Sequence, residues 1–264
     1  MQKPGPRTKG FFQTVLRALN EWKVPYLVGG GYAMSLHTGI ERPIRDLDLF
    51  VLPSDFDRIL ERFEDAGFRV ERLFPHWLGK IYKGRAYVDV IFSSGNGIAT
   101  VDEMWFEHAP GAGVLDVPVR VNPVEEMIWS KAFVMERERY DGADVAHLLL
   151  ARGSDLDWHR LVDRFGPNRL VLLSHLILFL FVYPSERDRI PDWIWDRLIA
   201  GLDDERRTTN QAGRVCRGAL LSRGQFLGDL EHGFRDPRLV PEGSMTSRDV
   251  AVWTEAAKQS EDSP

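Results

Sequence analysis

Residues 42–51 read RPIRDLDLFV, and the tail of that stretch, LDLFV, has the composition of a buried strand except for its aspartates. Side chains at i and i+2 of a strand share a face, so Asp46 and Asp48 project together, roughly 6–7 Å apart at the backbone. Leu47, Leu49 and Val51 then point the other way, into a core. Two carboxylates on one face repel unless something positive lies between them. A second strand candidate, AYVDVIF (86–92), carries one aspartate, Asp89, between Val88 and Val90. If it pairs beside the first strand, three carboxylates converge. Such a set suits magnesium, a hard ion that binds carboxylate and phosphate oxygen, and a pair of such ions ~4 Å apart clamps in-line phosphoryl or nucleotidyl displacement. An isolated Asp-x-Asp more often caps a loop or pairs with arginine, here Arg42 or Arg45, so its neighbourhood decides.

Upstream lies VGGGYAMS (28–35), glycines between a short apolar run and a helix start. Glycine permits close approach of the backbone, and a helix N-terminus presents N–H groups to an anion, so this turn can hold phosphates. No Gly-Lys-Ser/Thr follows, which excludes a Walker A loop, and the G-x-G-x-x-G spacing of a dinucleotide fold is absent.

The order of these parts resembles the nucleotidyltransferase superfamily with a polymerase-beta-like catalytic core, most of all its AbiEii-type and antibiotic-nucleotidyltransferase-like members. These read Gly-Gly-x-Ala, then Arg-x-Thr/Ser-x-Asp-Ile/Leu-Asp. Gly30, Gly31 and Ala33 match the first part, and Arg42, Asp46, Leu47 and Asp48 the second. Ile44 departs from it, standing where Thr or Ser is usual. A second block, KAFVMERERYDGADVAHLL, resembles the AbiEii-like segment in which a lysine precedes arginines and an Asp-x-x-Asp on a helix, with Lys131, Arg137, Arg139, Asp141 and Asp144 in those positions.

The resemblance implies an α/β (α+β) nucleotidyltransferase core with a mixed sheet, followed by a mainly helical domain. It implies transfer of a nucleoside monophosphate from a nucleoside triphosphate to an acceptor hydroxyl, with pyrophosphate released. Asp46, Asp48 and Asp89 are the expected catalytic and metal-binding residues, and Gly30, Gly31, Arg42, Lys131 and Asp144 the expected nucleotide contacts. Two magnesium ions are expected, with manganese as the alternative ion. The acceptor is an RNA or protein, as for a toxin-like enzyme with an antitoxin partner, or a small hydroxylated molecule. A module that keeps the core without activity is the competing expectation. Lys80 and Lys83, ahead of the Asp89 strand, read as structural rather than phosphate-touching, and Arg137 and Arg139 as solvated.

The remaining pattern sets the frame. Apolar spacing predicts a helix over 8–23, strands at 25–28, 46–51, 68–74, 79–84 and 86–92, a helix over 55–68, a short helix at 101–109 and one strand over 113–121. From residue 122 onward the pattern is helical: 122–140, the DGADVAHLLLAR and LDWHRLVDRF segments, 168–183 and PDWIWDRLIAGL. A catalytic core over 1–122 and a helical domain over 123–264 are expected, with 203–264 irregular apart from a helix near 247–258. The net charge of −5 gives no global field toward nucleic acid or anionic membrane. One cysteine, Cys216, excludes an internal disulfide framework and a multi-cysteine zinc site and fits the cytoplasm. The basic first residues precede no apolar run, so no secretory signal is expected, and the apolar run at 170–183 is short for a membrane span and reads as a buried helix. The seven histidines show no zinc-like spacing, and His175 reads as a packed core residue.

Overall fold

The computed structural model describes residues 5–207 and 213–261, with side chains described as far as residue 256. Contacts divide the chain into two compact units, Met1–Pro123 and Val124–Pro264.

The first unit opens with α1 (Pro6–Glu21), whose Phe11, Phe12, Val15, Leu16 and Leu19 are buried at helical spacing. The helix gives way to Lys23 in a left-handed conformation, with φ 54°. A short β1 (Leu27–Val28) leads into α2 (Gly30–Thr38), which Gly39 ends in the left-handed region. Then follow β2 (Leu47–Phe50), α3 (Pro53–Asp65), β3 (Arg69–Phe74), β4 (Leu78–Lys83) and β5 (Ala86–Ile91). The strands form a mixed sheet in the order β1-β2-β5-β4-β3. Only the central pair, β2 and β5, is parallel.

Alternation divides the two central strands. Leu47, Leu49, Val88 and Val90 are fully buried. The apolar side of α3, with Phe56, Ile59, Leu60 and Phe63, is buried as well, and it approaches the sheet so closely that a Cβ on Gly79 would meet Phe56 and Leu60 within 3 Å. Asp48 and Asp89 occupy the alternate positions and so face the other side.

The rest of the unit is α4 (Glu103–His108), capped by the Asp102 carboxylate, and a hairpin of β6 (Gly111–Val114) and β7 (Val117–Arg120). Sequence alternation predicts one strand over 113–121, and this is corrected by the turn at Leu115 and Asp116. Both have positive φ, 51° and 62°. Aspartate tolerates such an angle, but leucine rarely adopts it. Helix α1 holds the turn: Gln13 Nε2 donates to the Leu115 carbonyl and Lys9 pairs with Asp116 at 2.8 Å. Beyond β7, Val121 bridges to Val28 and the Asn122 N–H donates to the Val28 carbonyl. The imidazole of buried His37 meets the Asn122 carbonyl at 2.8 Å, fixing α2 to this segment.

The second unit is helical: α5 (Val124–Ala132), α6 (Gly142–Arg152), α7 (Trp158–Phe165), α8 (Arg169–Val182), α9 (Asp192–Arg207), α10 (Leu227–Glu231) and α11 (Ser247–Glu261). The helix expected over 122–140 stops at Ala132. Residues 133–141 turn back on themselves through a Met135–Tyr140 bridge, and Glu136 accepts from the Ser222 hydroxyl. The stretch from residue 203 is also more ordered than its polar composition implies. Among the described residues α9 continues to Arg207, and the loop before α11 is gathered around buried Arg238, whose guanidinium grips Asp236 at 2.6 Å. α8 is buried on one side only. Leu172, Leu173, His175, Leu176 and Phe179 are enclosed, whereas Ile177, Leu178, Phe181 and Val182 are exposed. Trp158–Val182 is long and apolar enough to cross a membrane by length and composition alone, and a third of its most apolar 18-residue window is buried. His175 is a core residue, bonded through Nε2 to the Ala132 carbonyl at 2.9 Å.

Candidate active site

Register creates the site. Because β2 and β5 run parallel with Asp48 opposite Asp89, the two carboxylates stand on adjacent strands of one face. Asp46 lies immediately before β2, two residues from Asp48. One oxygen from each of Asp46, Asp48 and Asp89 lies within 4.8 Å of the other two, and all three residues are half-buried. Three hard oxygen donors at such separations match the ligand chemistry of a small divalent cation. The donor set therefore fits magnesium.

The glycine turn closes against this cluster. Gly30 has φ +52°, and a Cβ there would overlap Asp48 Oδ2 at 1.6 Å. Glycine is thus required twice, for the backbone angle and for the carboxylate that rests on its α-carbon. Gly29 is equally confined, by the Phe50 ring and the Asn122 amide. The first bond within α2 runs from the Ala33 N–H to the Gly29 carbonyl, at 3.2 Å. The N–H groups of Gly30, Gly31 and Tyr32 come before it, where a helix has no carbonyl of its own to offer. The departure at Ile44 also has a physical account. Its side chain is buried and packs on Gly31, where a Cβ would come within 3.1 Å of Cγ1. Arg42 is exposed on the linker between α2 and β2.

Three further side chains belong to the cluster that spacing alone did not pick out. Lys80 is the cross-strand partner of Asp89 on β4, and its Nζ lies 2.6 Å from Asp89 Oδ1. The same ammonium lies 3.9 Å from the centroid of the Tyr87 ring. Lys80 is therefore part of the acidic face, whereas sequence placed it outside the site. Tyr87 shares that face with Asp89, two positions along the strand, and feels the charge of Asp46. Burial, then the charges of Asp46, Asp89 and Asp48, raise its phenol above the usual range. Tyr32, on the first turn of α2, has a buried hydroxyl without a hydrogen-bond partner, and its phenol is pushed up to about 12 by burial and by the charge of Asp46. Asp89 itself is raised. Burial is the largest cause, partly offset by the hydrogen bond and charge of Lys80 and reinforced by Asp46. The signal for Lys80 and Tyr87 was present in period-two spacing, but only strand order and register show which positions meet.

The second block lies in the helical unit. Lys131, on α5, is held at 2.8 Å by both Asp141, just before α6, and Asp144, on its first turn. Arg139 grips Asp141 through Nε and Nη2, so it is a partner of that carboxylate and not simply solvated. Burial alone would raise the Asp141 carboxyl, but Arg139 and Lys131 outweigh it and hold it at about 2. Nearby, Glu126 is fully buried and receives two bonds of 2.6 Å from Arg160 Nη1 and one of 3.1 Å from Arg164. Arg160 also reaches Glu125 at 2.6 Å.

No protein-family model matches the sequence, and neither does any curated protein. Among solved structures, the chain is similar to the antibiotic-resistance factor ANT(2'')-Ia, with 20% identity over 64% of this chain and 96% of that one, at a TM-score of 0.44. A lincomycin-bound lincosamide antibiotic adenylyltransferase, LnuA, matches with 17% identity over 53% of this chain and 94% of that one, at 0.38. A nucleotidyltransferase-like antigenic protein from Paracoccidioides brasiliensis matches with 13% identity over 65% and 92%, at 0.39. At these identities and TM-scores the likenesses carry no inference about activity.

Proposed function

We propose that this protein is a magnesium-dependent nucleotidyltransferase that moves a nucleoside monophosphate from a nucleoside triphosphate to an acceptor hydroxyl. The observation that carries this reading is the convergence of Asp46, Asp48 and Asp89 within 4.8 Å beside the Gly30 turn. When bound, a divalent cation at these carboxylates neutralises triphosphate charge and makes the acceptor oxygen a better nucleophile. Asp46 and Asp48 are the residues that would hold it. The N-terminal N–H groups of α2 and the side chain of Arg42 would cradle the phosphates. The roles of Lys131 and Asp144 in nucleotide binding rest on the motif resemblance alone.

The reaction forms a bond from the acceptor oxygen to the α-phosphorus and breaks the bond from that phosphorus to pyrophosphate, which departs. The acceptor proton passes to Asp89. Lys80 occupies Oδ1 of that carboxylate, so Oδ2 is the accepting atom. Burial favours the protonated form of Asp89, which makes it a stronger base than an exposed carboxylate. The rest of the acceleration comes from positioning and charge complementarity. A small hydroxylated molecule is the favoured acceptor, because a chain with a net charge of −5 is poorly suited to broad contact with RNA phosphates. The cytoplasm, where nucleoside triphosphates and magnesium are abundant, is the fitting compartment.

Incubation with α-labelled nucleoside triphosphates, magnesium, a panel of hydroxylated small molecules and total cell extract tests the proposal. The expected result is label on a small molecule with stoichiometric pyrophosphate. Label on RNA or protein would replace the acceptor class. Nucleotide binding without turnover across the whole panel would instead make this a binding module.

A further inference from the structure

We infer that the site takes a single divalent cation, on Asp46 and Asp48, and that the ammonium of Lys80 stands where a second one would bind Asp89. This rests on the proposed nucleotidyltransferase reading and replaces the pair of ions that the resemblance implies. Three features place the lysine there. Strand register makes Lys80 the direct neighbour of Asp89 across β4 and β5, so its stem rises from the same face as the acids. The Nζ–Oδ1 separation is 2.6 Å with the two side chains only 15% and 13% exposed, so the pair is largely withdrawn from water. The Tyr87 ring covers the ammonium from another side at 3.9 Å.

A lysine held by a carboxylate and an aromatic face in a half-buried site is a fixed charge, not a wandering surface group. A dication on the same carboxylate would lie a few ångströms from that ammonium, with both positive charges screened poorly. With the ammonium holding Asp89 on β5, Asp46 and Asp48 at β2 remain for one ion. The arrangement has a chemical consequence. An Asp89 oxygen engaged by lysine leaves its other oxygen available to take a proton, whereas two metal bonds would suppress its basicity.

Manganese titration of the full chain, followed by electron paramagnetic resonance and calorimetry with Mn2+ alone, tests this. The expected wild-type result is one Mn2+ per chain with the six-line spectrum of an isolated ion. Lys80→Met should bind two, with the broadened spectrum of a coupled pair. Two coupled ions on the wild type overturn the inference without any variant, so a poorly folded Lys80→Met does not remove the test, and Lys80→Gln provides a second variant. One ion on both wild type and variant also overturns it, because Lys80 is then not what excludes the second. Wild type and Asp46→Asn binding Mn2+ alike would overturn the metal reading of the triad itself, and this inference with it.

Discussion

Two acid clusters in this chain, one buried and one half-buried, follow different rules. In the helical unit Glu125 and Glu126 meet arginine: Arg160 alone makes contacts of 2.6 Å to both, and Arg164 adds a third contact, to Glu126. In the sheet unit Asp46, Asp48 and Asp89 converge within 4.8 Å, with Lys80 bonded to Asp89 at 2.6 Å. Acid facing base satisfies itself and has nothing left to offer a ligand. Three acids that share one ammonium keep an excess of negative charge, which is costly unless a further cation joins them, and so such a cluster is kept for chemistry. Neutralising a member of the second kind should cost activity and little stability. Removing a member of the first kind should do the reverse.

The largest expected effect follows directly. Asp48→Asn keeps the shape of the side chain beside Gly30 and removes the charge. Nucleotidyl transfer should fall by at least ~10³-fold, while unfolding free energy stays within about 1 kcal/mol of wild type. Single-turnover transfer and denaturant melts read the two quantities. Loss of stability with activity retained would show that the sheet acids are structural and would collapse the contrast.

Arg160→Met makes the converse case. Glu126 is then left fully buried without its bidentate partner, and loss of one partner of a buried pair costs roughly 3–5 kcal/mol. Urea unfolding should show that loss. Arg160→Met combined with Glu126→Met should recover only part of it, since the double change removes the buried Glu126 charge but still strips Arg160 from buried Glu125.

Gly30→Ala joins fold and site in one position. The left-handed backbone angle costs a non-glycine residue about 1–2 kcal/mol, and displacement of Asp48 adds to it. Activity should fall more steeply than stability, because the displaced group is a candidate cation ligand. Gly39→Ala is the control. It has positive φ as well, but open space around the added Cβ, so it should show the backbone cost alone.

How much of this could be read without coordinates varies by the kind of signal. The acidic face was legible because period two is rigid: once Asp46 and Asp48 sit on a strand they must share a side, and Asp89 between valines announces the same geometry. The α1 and α3 helices were legible from apolar spacing. Lys80 was within reach too, because the two-residue turn at Gly84 and Arg85 pairs β4 with β5 and puts position 80 opposite 89, but a strand drawn through Gly84 hides that register. The turn at Leu115 and Asp116 was hidden because Leu115 is no turn former and tertiary bonds from α1 hold it there. The break after Ala132 was hidden too. The loop there is fastened by ion pairs and by Glu136 binding Ser222, contacts that no helical period encodes.

That ion-paired loop supplies the smallest and most pH-specific test. Asp141 is held at about 2, below the ordinary carboxylate range, so the native state binds its proton more weakly than the unfolded chain does. Stability from this group is therefore present above the unfolded carboxylate pKa and disappears as pH falls through about 2. The shift corresponds to about 2 kcal/mol at neutral pH. Asp141→Asn should be destabilised by that amount at pH 7, and the gap to wild type should close between roughly pH 4 and pH 2. The sheet cluster should behave with the opposite sign. Asp89 is raised by burial, so in wild type its ionisation lowers stability as pH rises past the ordinary carboxylate range. Unfolding curves of Asp141→Asn and Asp89→Asn against wild type, taken at intervals across acid pH, should therefore diverge in opposite directions. A common direction would mean that Lys80 compensates Asp89 as fully as Arg139 and Lys131 compensate Asp141, and the acidic face would then have no more call on a cation than the helical unit does.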